Sequence, residues 1–272
     1  MLRFLERCPV VESIHSSESP LARIEPEDRL LVLARTVQAR DPGAETALED
    51  GAVNWARFGE TCLGQALYRH HSVFRNASEA PVWSHLELSY FRNTIPADAI
   101  LELVVKRQPV ATELLRAEIL LTTPSAFVLP RDWQGLADRP ERKASLEYIE
   151  VRSAYVGEYR NVMREYIGPA AAKLVRANRI GTFRAMETAA VLYRHPELKI
   201  DWNQIHLCEV DASHFDGFSK EFDAALQEVS PDGGFAAVFA RLDRIRTIPR
   251  WTLNDPVVEA DAGVGRKARA EL

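Results

Sequence analysis

The chain has 272 residues, of which 46% are hydrophobic and 27% are charged, as in an ordinary globular protein with a well-buried core. Its formal charge of −5 at pH 7 argues against a nucleic-acid partner or an anionic membrane surface, because both need an excess of basic residues. Three cysteines without metal-type spacing favour a reducing compartment, and the lack of a signal-peptide core or membrane span predicts a soluble cytoplasmic protein.

The first half predicts alternating strands and helices from its hydrophobic periodicity. The expected elements are a strand at 30–37, a weak helix at 42–62, paired strands at 66–74 and 82–91, helices at 97–106 and 110–121, and a strand at 125–129. The charged segment 132–143 reads as a linker.

The second half predicts the same order with clearer signals. The expected elements are a strand at 146–154, a helix from 155 broken at Gly168-Pro169, paired strands at 182–193 and 202–210, helices at 213–229 and 235–242, and a strand at 244–248. We expect residues 255–272 to form a loose polar tail.

Three short segments recur in the same order in the two halves. Trp83 and Trp202 each open an alternating strand, and Tyr-Arg-His occurs at 68–70 and again at 193–195. Pro-Arg occurs at 130–131 and at 249–250, with the same separation as the two tryptophans. These matches predict two β-α-β-β-α-β repeats, at 1–134 and 144–254, folded into one α/β barrel of the α+β class. The alternative is coincidence in an unrelated α/β fold.

The Trp-led strand at 202–210, WNQIHLCEV, resembles the third strand of the dimeric α/β-barrel superfamily, in particular its NIPSNAP-like and EthD-like groups. The resemblance covers roughly residues 144–252, and the first half follows only through the repeat. It implies ferredoxin-like units that pair, either within this chain or in a homodimer. The superfamily includes cofactor-free oxygenases, isomerases, decarboxylases, lyases and haem enzymes, so the fold does not select a function.

Strand parity predicts which side chains face the barrel interior, since alternate residues share a face. We assign the apolar Ile205 and Leu207 to the helix side, which sends His206 inward. The same argument on the other strands gives an inward set of Arg35, His85, Glu87, Tyr148, Glu150, Arg152, Gln204, Cys208, Arg244 and Arg246. Buried ionisable groups in a cleft are typical of functional sites, although each could also be a core residue or a solvated pair.

The leading hypothesis is a cofactor-independent lyase, isomerase, decarboxylase or oxygenase acting on a small apolar, aromatic molecule. His206 or His85 would be the general base, because an unperturbed imidazole titrates nearest neutrality. Glu87 or Glu150 would orient the substrate or donate a proton to it. Substrate charge would be held by Tyr148, Arg152 and Arg246.

Two alternatives remain open at this point. One is a haem enzyme of the tandem-barrel type, with His195 or His214 as the axial ligand. The other is a non-catalytic small-molecule-binding or assembly protein. The sequence has no metal-ligand pattern, no nucleotide-binding glycine motif and no G-x-S-x-G elbow, so we expect neither metal nor nicotinamide cofactor.

Overall fold

A computed structural model of the protein describes residues 24, 27–51, 61–75, 83–106, 111–129, 142–211, 215–230 and 233–261. The strands in these ranges are β1 Leu31–Ala39, β2 Cys62–Arg75, β3 His85–Phe91, β4 Thr112–Val128, β5 Arg142–Val151, β6 Thr182–Arg194, β7 Gln204–Asp211 and β8 Arg246–Asp261. The α-helices are α1 Pro42–Gly51, α2 Ala97–Ile100, α3 Val156–Val162, α4 Gly168–Arg176, α5 Phe215–Val229 and α6 Gly234–Ile245. The π-helical turns Leu101–Lys106 and Met163–Ile167 extend α2 and α3.

The eight strands pair antiparallel in a closed barrel with the order β1-β3-β2-β8-β5-β7-β6-β4. The first four strands form the run β4-β1-β3-β2 and the last four form β8-β5-β7-β6, so the two halves have the same relative strand order. Trp83 and Trp202 stand two residues before β3 and β7, respectively. The Pro130 segment lies outside the described residues, so its expected match with Pro249 stays a prediction.

Aromatic side chains from both halves meet inside the barrel. The ring centroids of Trp83 and Tyr148 are 4.6 Å apart, and those of Tyr148 and Trp202 are 5.0 Å apart. The indole N–H of Trp83 donates to the Tyr148 hydroxyl at 3.0 Å. Edge-on aromatic contacts of this kind are favourable beyond the area that they bury. Strand alternation predicted that Tyr148 faces the barrel interior, and the structure confirms this orientation.

Charged groups also lie inside the barrel, and hydrogen bonds cross it. Tyr68 of β2 donates to Glu209 of β7 at 2.9 Å, and Arg184 donates to Tyr68 at 3.1 Å. Arg142 donates to the second oxygen of Glu209 at 2.8 Å. A buried charge is costly unless it is paired and hydrogen-bonded, so this network allows Glu209 to be fully buried.

The outer face of the sheet is also buried, under the helices. In the second half, Ile149 and Phe183 pack with helical residues such as Leu174, Leu226 and Leu242 in one apolar cluster. In the first half, α1 and α2 cover smaller apolar clusters. Within the described part of the chain, no helix has the length and hydropathy that a membrane crossing requires.

Three sequence expectations about secondary structure differ from the structure. Most of the predicted helix at 110–121 belongs to β4, and residues 255–261 of the expected tail belong to β8, which pairs with β2. The expected strand at 244–248 starts late, because Ile245 still ends α6. In β4 buried positions occur on both faces, so its apolar residues lack the period of two that identifies a half-buried strand.

Gly168 begins α4 at a point where the helix touches the backbone of β4. A Cβ atom at this position would overlap the Ser125 carbonyl oxygen and lie 2.9 Å from Cα of Ala126. We expect Gly168→Ala to destabilise the protein by about 1–3 kcal/mol, because backbone must move to make room. Chemical denaturation measures this free energy of unfolding.

The matched control is Gly157→Ala in α3, where a Cβ would meet nothing within 4 Å. Alanine is the better helix former, so this variant should be as stable as the wild type or slightly more stable. Equal effects of the two substitutions would contradict the packing described for Gly168.

Candidate functional site

A pocket of about 250 Å³ lies between the outer face of the second-half sheet and its helices. The turn after α3 contributes Met163, α5 contributes Phe218 and Phe222, and α6 contributes Phe239 and Leu242. Phe183 and Trp251 line it from the sheet. An aromatic, mostly apolar lining with a few polar groups is typical of small-molecule sites.

The polar groups of this pocket lie on neighbouring strands. Glu147 of β5 is paired in register with His206 of β7 on one side and with Trp251 of β8 on the other. The Glu147 Oε2 atom lies 3.8 Å from Nδ1 of His206 and 3.8 Å from Nη1 of Arg246. Both separations are too long for a hydrogen bond. The carboxylate therefore faces a donor on each side without a direct hydrogen bond to either.

Burial raises the pKa of the Glu147 carboxyl above its ordinary value, and the positive charge of Arg246 only partly opposes this effect. Desolvation disfavours the charged form of an acid, which explains the direction of the shift. A buried carboxyl group with a raised pKa is a candidate for acid–base chemistry, because perturbed groups of this kind cluster at functional sites. Glu147 is thus the best-placed acid–base group in the pocket.

His206 is held as a neutral imidazole. Its Nε2 atom lies 2.9 Å from the Tyr159 hydroxyl, and burial together with Arg246 lowers its pKa to about 3. A hydroxyl that donates to Nε2 leaves the ring proton on Nδ1, the atom that faces Glu147. Arg246 in turn hydrogen-bonds the Tyr159 hydroxyl. The expected general base is therefore better suited to donate a hydrogen bond than to accept a proton.

The prediction that the site residues converge on one internal cavity is wrong. His206 and Arg246 line the pocket, but this pocket lies outside the barrel. Glu150 and Arg152 are exposed, and Tyr148 lies inside the barrel with the two tryptophans.

His85 and Glu87 lie under the helices of the first half. Glu87 forms a buried ion pair with Arg35, whose Nη1 also donates to the Leu103 carbonyl at 2.6 Å. His85 is fully buried, with its Nε2 atom 3.6 Å from Glu49 of α1. Burial lowers the pKa of His85, against the opposing effect of Glu49.

The error has a simple physical cause. Parity correctly placed alternate residues on opposite faces, but the apolar face of β7, with Ile205 and Leu207, belongs to the barrel interior. Its other face, with Cys208 and Val210, packs against the helix layer. When both faces are buried, apolar character does not say which one the helices cover.

The sequence analysis missed Glu147 and Tyr159. Strand alternation puts Glu147 on the same face as Ile149 and Val151, and the sequence analysis considered only residues assigned to the barrel interior. A glutamate at a position that must be buried was the available signal, since an unpaired buried carboxylate is costly. Tyr159 gave no such signal, because a tyrosine at helical spacing is usual in a core.

The described residues do not favour the haem alternative. His195 is at the end of β6 and lies 3.1 Å from Glu113, away from the pocket. His214 is outside the described residues. Among the described residues that line the pocket, the one imidazole is that of His206, and its Nε2 atom is already engaged by Tyr159. The described ranges also contain no group of three or more His, Cys, Asp or Glu suited to a metal ion.

No protein-family model and no curated protein matches the sequence. Among solved structures, a candidate monooxygenase from Fusobacterium nucleatum subsp. nucleatum matches 86% of this chain and 94% of its own, with 10% identity and a TM-score of 0.51. An anthrone oxidase-like protein matches 92% of this chain and 99% of its own, with 13% identity and a TM-score of 0.50.

A mutant chlorite dismutase from Candidatus Nitrospira defluvii matches 84% of this chain and 91% of its own, with 12% identity and a TM-score of 0.44. Identities this low show the fold alone. Membership of the dimeric α/β-barrel superfamily, and of its NIPSNAP-like and EthD-like groups, therefore stays a prediction.

Proposed function

We propose that this protein is an enzyme that performs acid–base chemistry on a small, apolar, aromatic molecule bound in the pocket between the second-half sheet and its helices. The observation that carries the proposal is the Glu147 carboxyl, whose pKa is raised by burial among aromatic side chains. Perturbed groups of this kind cluster at functional sites. Arg246 beside it can stabilise a developing negative charge.

In the proposed reaction the substrate presents a carbon acid next to a carbonyl group. The Glu147 carboxylate takes the proton, and the electron pair left on carbon delocalises onto the carbonyl oxygen, which accepts hydrogen bonds from Arg246. The neutral His206, oriented by Tyr159 at 2.9 Å, donates from Nδ1 to the same end of the substrate. Return of the proton to another carbon gives an isomerase, and departure of a leaving group gives a lyase. Both outcomes are consistent with a reaction that needs no cofactor.

We also infer that the two halves are tandem ferredoxin-like repeats. Their identical strand order supports this, and so does the register of the polar pairs, since Arg35 faces Glu87 as Glu147 faces His206. In the first half this pair is a closed ion pair capped by Leu103. In the second half the equivalent pair borders the pocket. The proposed acid–base groups then all belong to the second repeat, while the first repeat contributes Phe74 to the pocket lining.

Replacement of Glu147 by Gln tests the proposal directly. We use 2-tetralone, a bicyclic aromatic ketone, as the probe and follow exchange of its acidic C–H protons in deuterium oxide by NMR. Wild-type protein should accelerate exchange, and Glu147→Gln should lower that rate by roughly 10²–10⁴-fold, the usual contribution of a general base. The melting temperature should be unchanged or higher, because the substitution removes a charge whose burial is unfavourable.

Glu87→Gln is the matched control in the other half. It breaks the buried ion pair with Arg35 and should lower stability, while exchange per folded molecule stays at the wild-type rate. The proposal would be abandoned if wild-type protein failed to accelerate exchange over buffer, or if the two variants lost the same fraction of activity.

The pH dependence of exchange gives a second test. The rate should rise with pH as Glu147 loses its proton. Since Arg246 lowers the Glu147 pKa, Arg246→Gln should raise that pKa further and move the rising limb of the profile to higher pH. A limb that stays in place or moves to lower pH would show that another group titrates.

A further inference from the structure

Phe74 stands where the pocket opens to solvent. It lines the pocket together with residues that are almost completely buried, such as Phe222 and Leu242. Phe74 itself is 56% exposed. A large apolar side chain with one face in the pocket and the other in solvent marks the position of the entrance.

A β-bulge directs Phe74 to this position. In the pairing of β2 with β8, Val73 is opposite Thr252 and Arg75 is opposite Trp251, so Phe74 is an extra residue without a partner in register. Bulges of this kind re-aim a side chain that would otherwise alternate to the other face. The first half of the chain thereby supplies a side chain to the pocket of the second half.

Trp251, the neighbour of Phe74, forms the fixed wall of the entrance. Its indole N–H donates to Oγ of Ser145 at 2.6 Å, and the Arg75 guanidinium lies 6.0 Å from its ring centroid. The Phe74 and Trp251 rings are 4.9 Å apart in an edge-on arrangement. Phe74 is therefore the more weakly held of the two aromatic groups.

The cross-strand register connects this entrance to the polar end of the pocket. Arg75 pairs with Trp251, Trp251 with Glu147, and Glu147 with His206. A flat ligand with an anionic or carbonyl oxygen near Arg246 and its rings along Trp251 would have its far edge at Phe74.

We propose that Phe74 is a specificity-determining residue that limits the breadth of the planar aromatic ligand. This inference rests on the proposed function, because it takes the pocket to be the ligand site. Ligands of about two fused rings extend only as far as the Phe74 ring and leave its contact with Trp251 intact. Wider ring systems of the same charge displace the Phe74 ring from Trp251 and bind more weakly.

Two probes of equal charge and different breadth test this inference. Dissociation constants of 2-naphthalenesulfonate and 1-pyrenesulfonate are measured by calorimetry on wild-type protein, Phe74→Ala, Phe74→Trp and the control Leu101→Ala. Leu101 is a comparably exposed apolar residue, 44% exposed, in the first-half turn after α2. Thermal unfolding confirms that each variant is folded.

Phe74→Ala should shift relative affinity toward 1-pyrenesulfonate by about tenfold, the factor expected from one aromatic contact. Phe74→Trp should shift it the other way, and Leu101→Ala should leave it unchanged. If both probes bind wild-type protein but the Phe74 variants leave their relative affinity unchanged, as Leu101→Ala does, the inference about Phe74 is wrong. The pocket would still be a ligand site in that case. If neither probe binds wild-type protein, the ligand site and the inference fail together.

Discussion

The rings of Trp83, Tyr148 and Trp202, packed edge-on and tilted against one another, fill the interior of the barrel and hold its two halves together. Arginine side chains close over the cluster: the Arg116 guanidinium lies 4.2 Å from the Trp202 ring, and that of Arg250 lies 5.4 Å from the Trp83 ring. An eight-stranded barrel is only wide enough for its own side chains or one small ligand. With the interior packed in this way, the pocket lies on the other face of the sheet, where the second-half helices stand over β5, β7 and β8. The location of the proposed chemistry therefore follows from how the interior is filled.

The two halves use the same strand positions for different purposes. In the first half, Arg35 faces Glu87 and the opposite charges neutralise each other under α2. In the second half, Glu147 faces a histidine that is uncharged, because burial holds its pKa at about 3. The Glu147 carboxylate has no direct hydrogen bond to His206 or Arg246, and the positive charges of Arg246 and Arg75 only partly oppose the effect of its burial, so its pKa is raised. The Arg35–Glu87 contact brings opposite charges together directly, whereas an incompletely paired carboxylate with a raised pKa is the kind of group that clusters at functional sites.

Much of the architecture could be predicted from the sequence, because local patterns define it. The tryptophan pair located β3 and β7, and the two halves share one strand order. The choice between the two faces of the sheet could not be predicted, since Ile205 and Leu207 fill a barrel interior as well as they would fill a helix interface. His206 and Arg246 were selected as ionisable residues and do line the pocket, but Glu147 was missed because only residues assigned to the barrel interior were considered. Long strands such as β4 were missed because both of their faces are buried.

Two methionines report separately on the two places where a ligand could bind. Met163 lines the helix-side pocket, and Met186 lies in the barrel interior with Trp83 and Trp202. With ¹³C-methyl methionine, titration of 2-naphthalenesulfonate can be followed by NMR at both methyl groups. We expect the Met163 signal to move with saturation while the Met186 signal stays in place. Saturable movement of Met186 with an unchanged Met163 would place the ligand inside the barrel and contradict the site described for this protein.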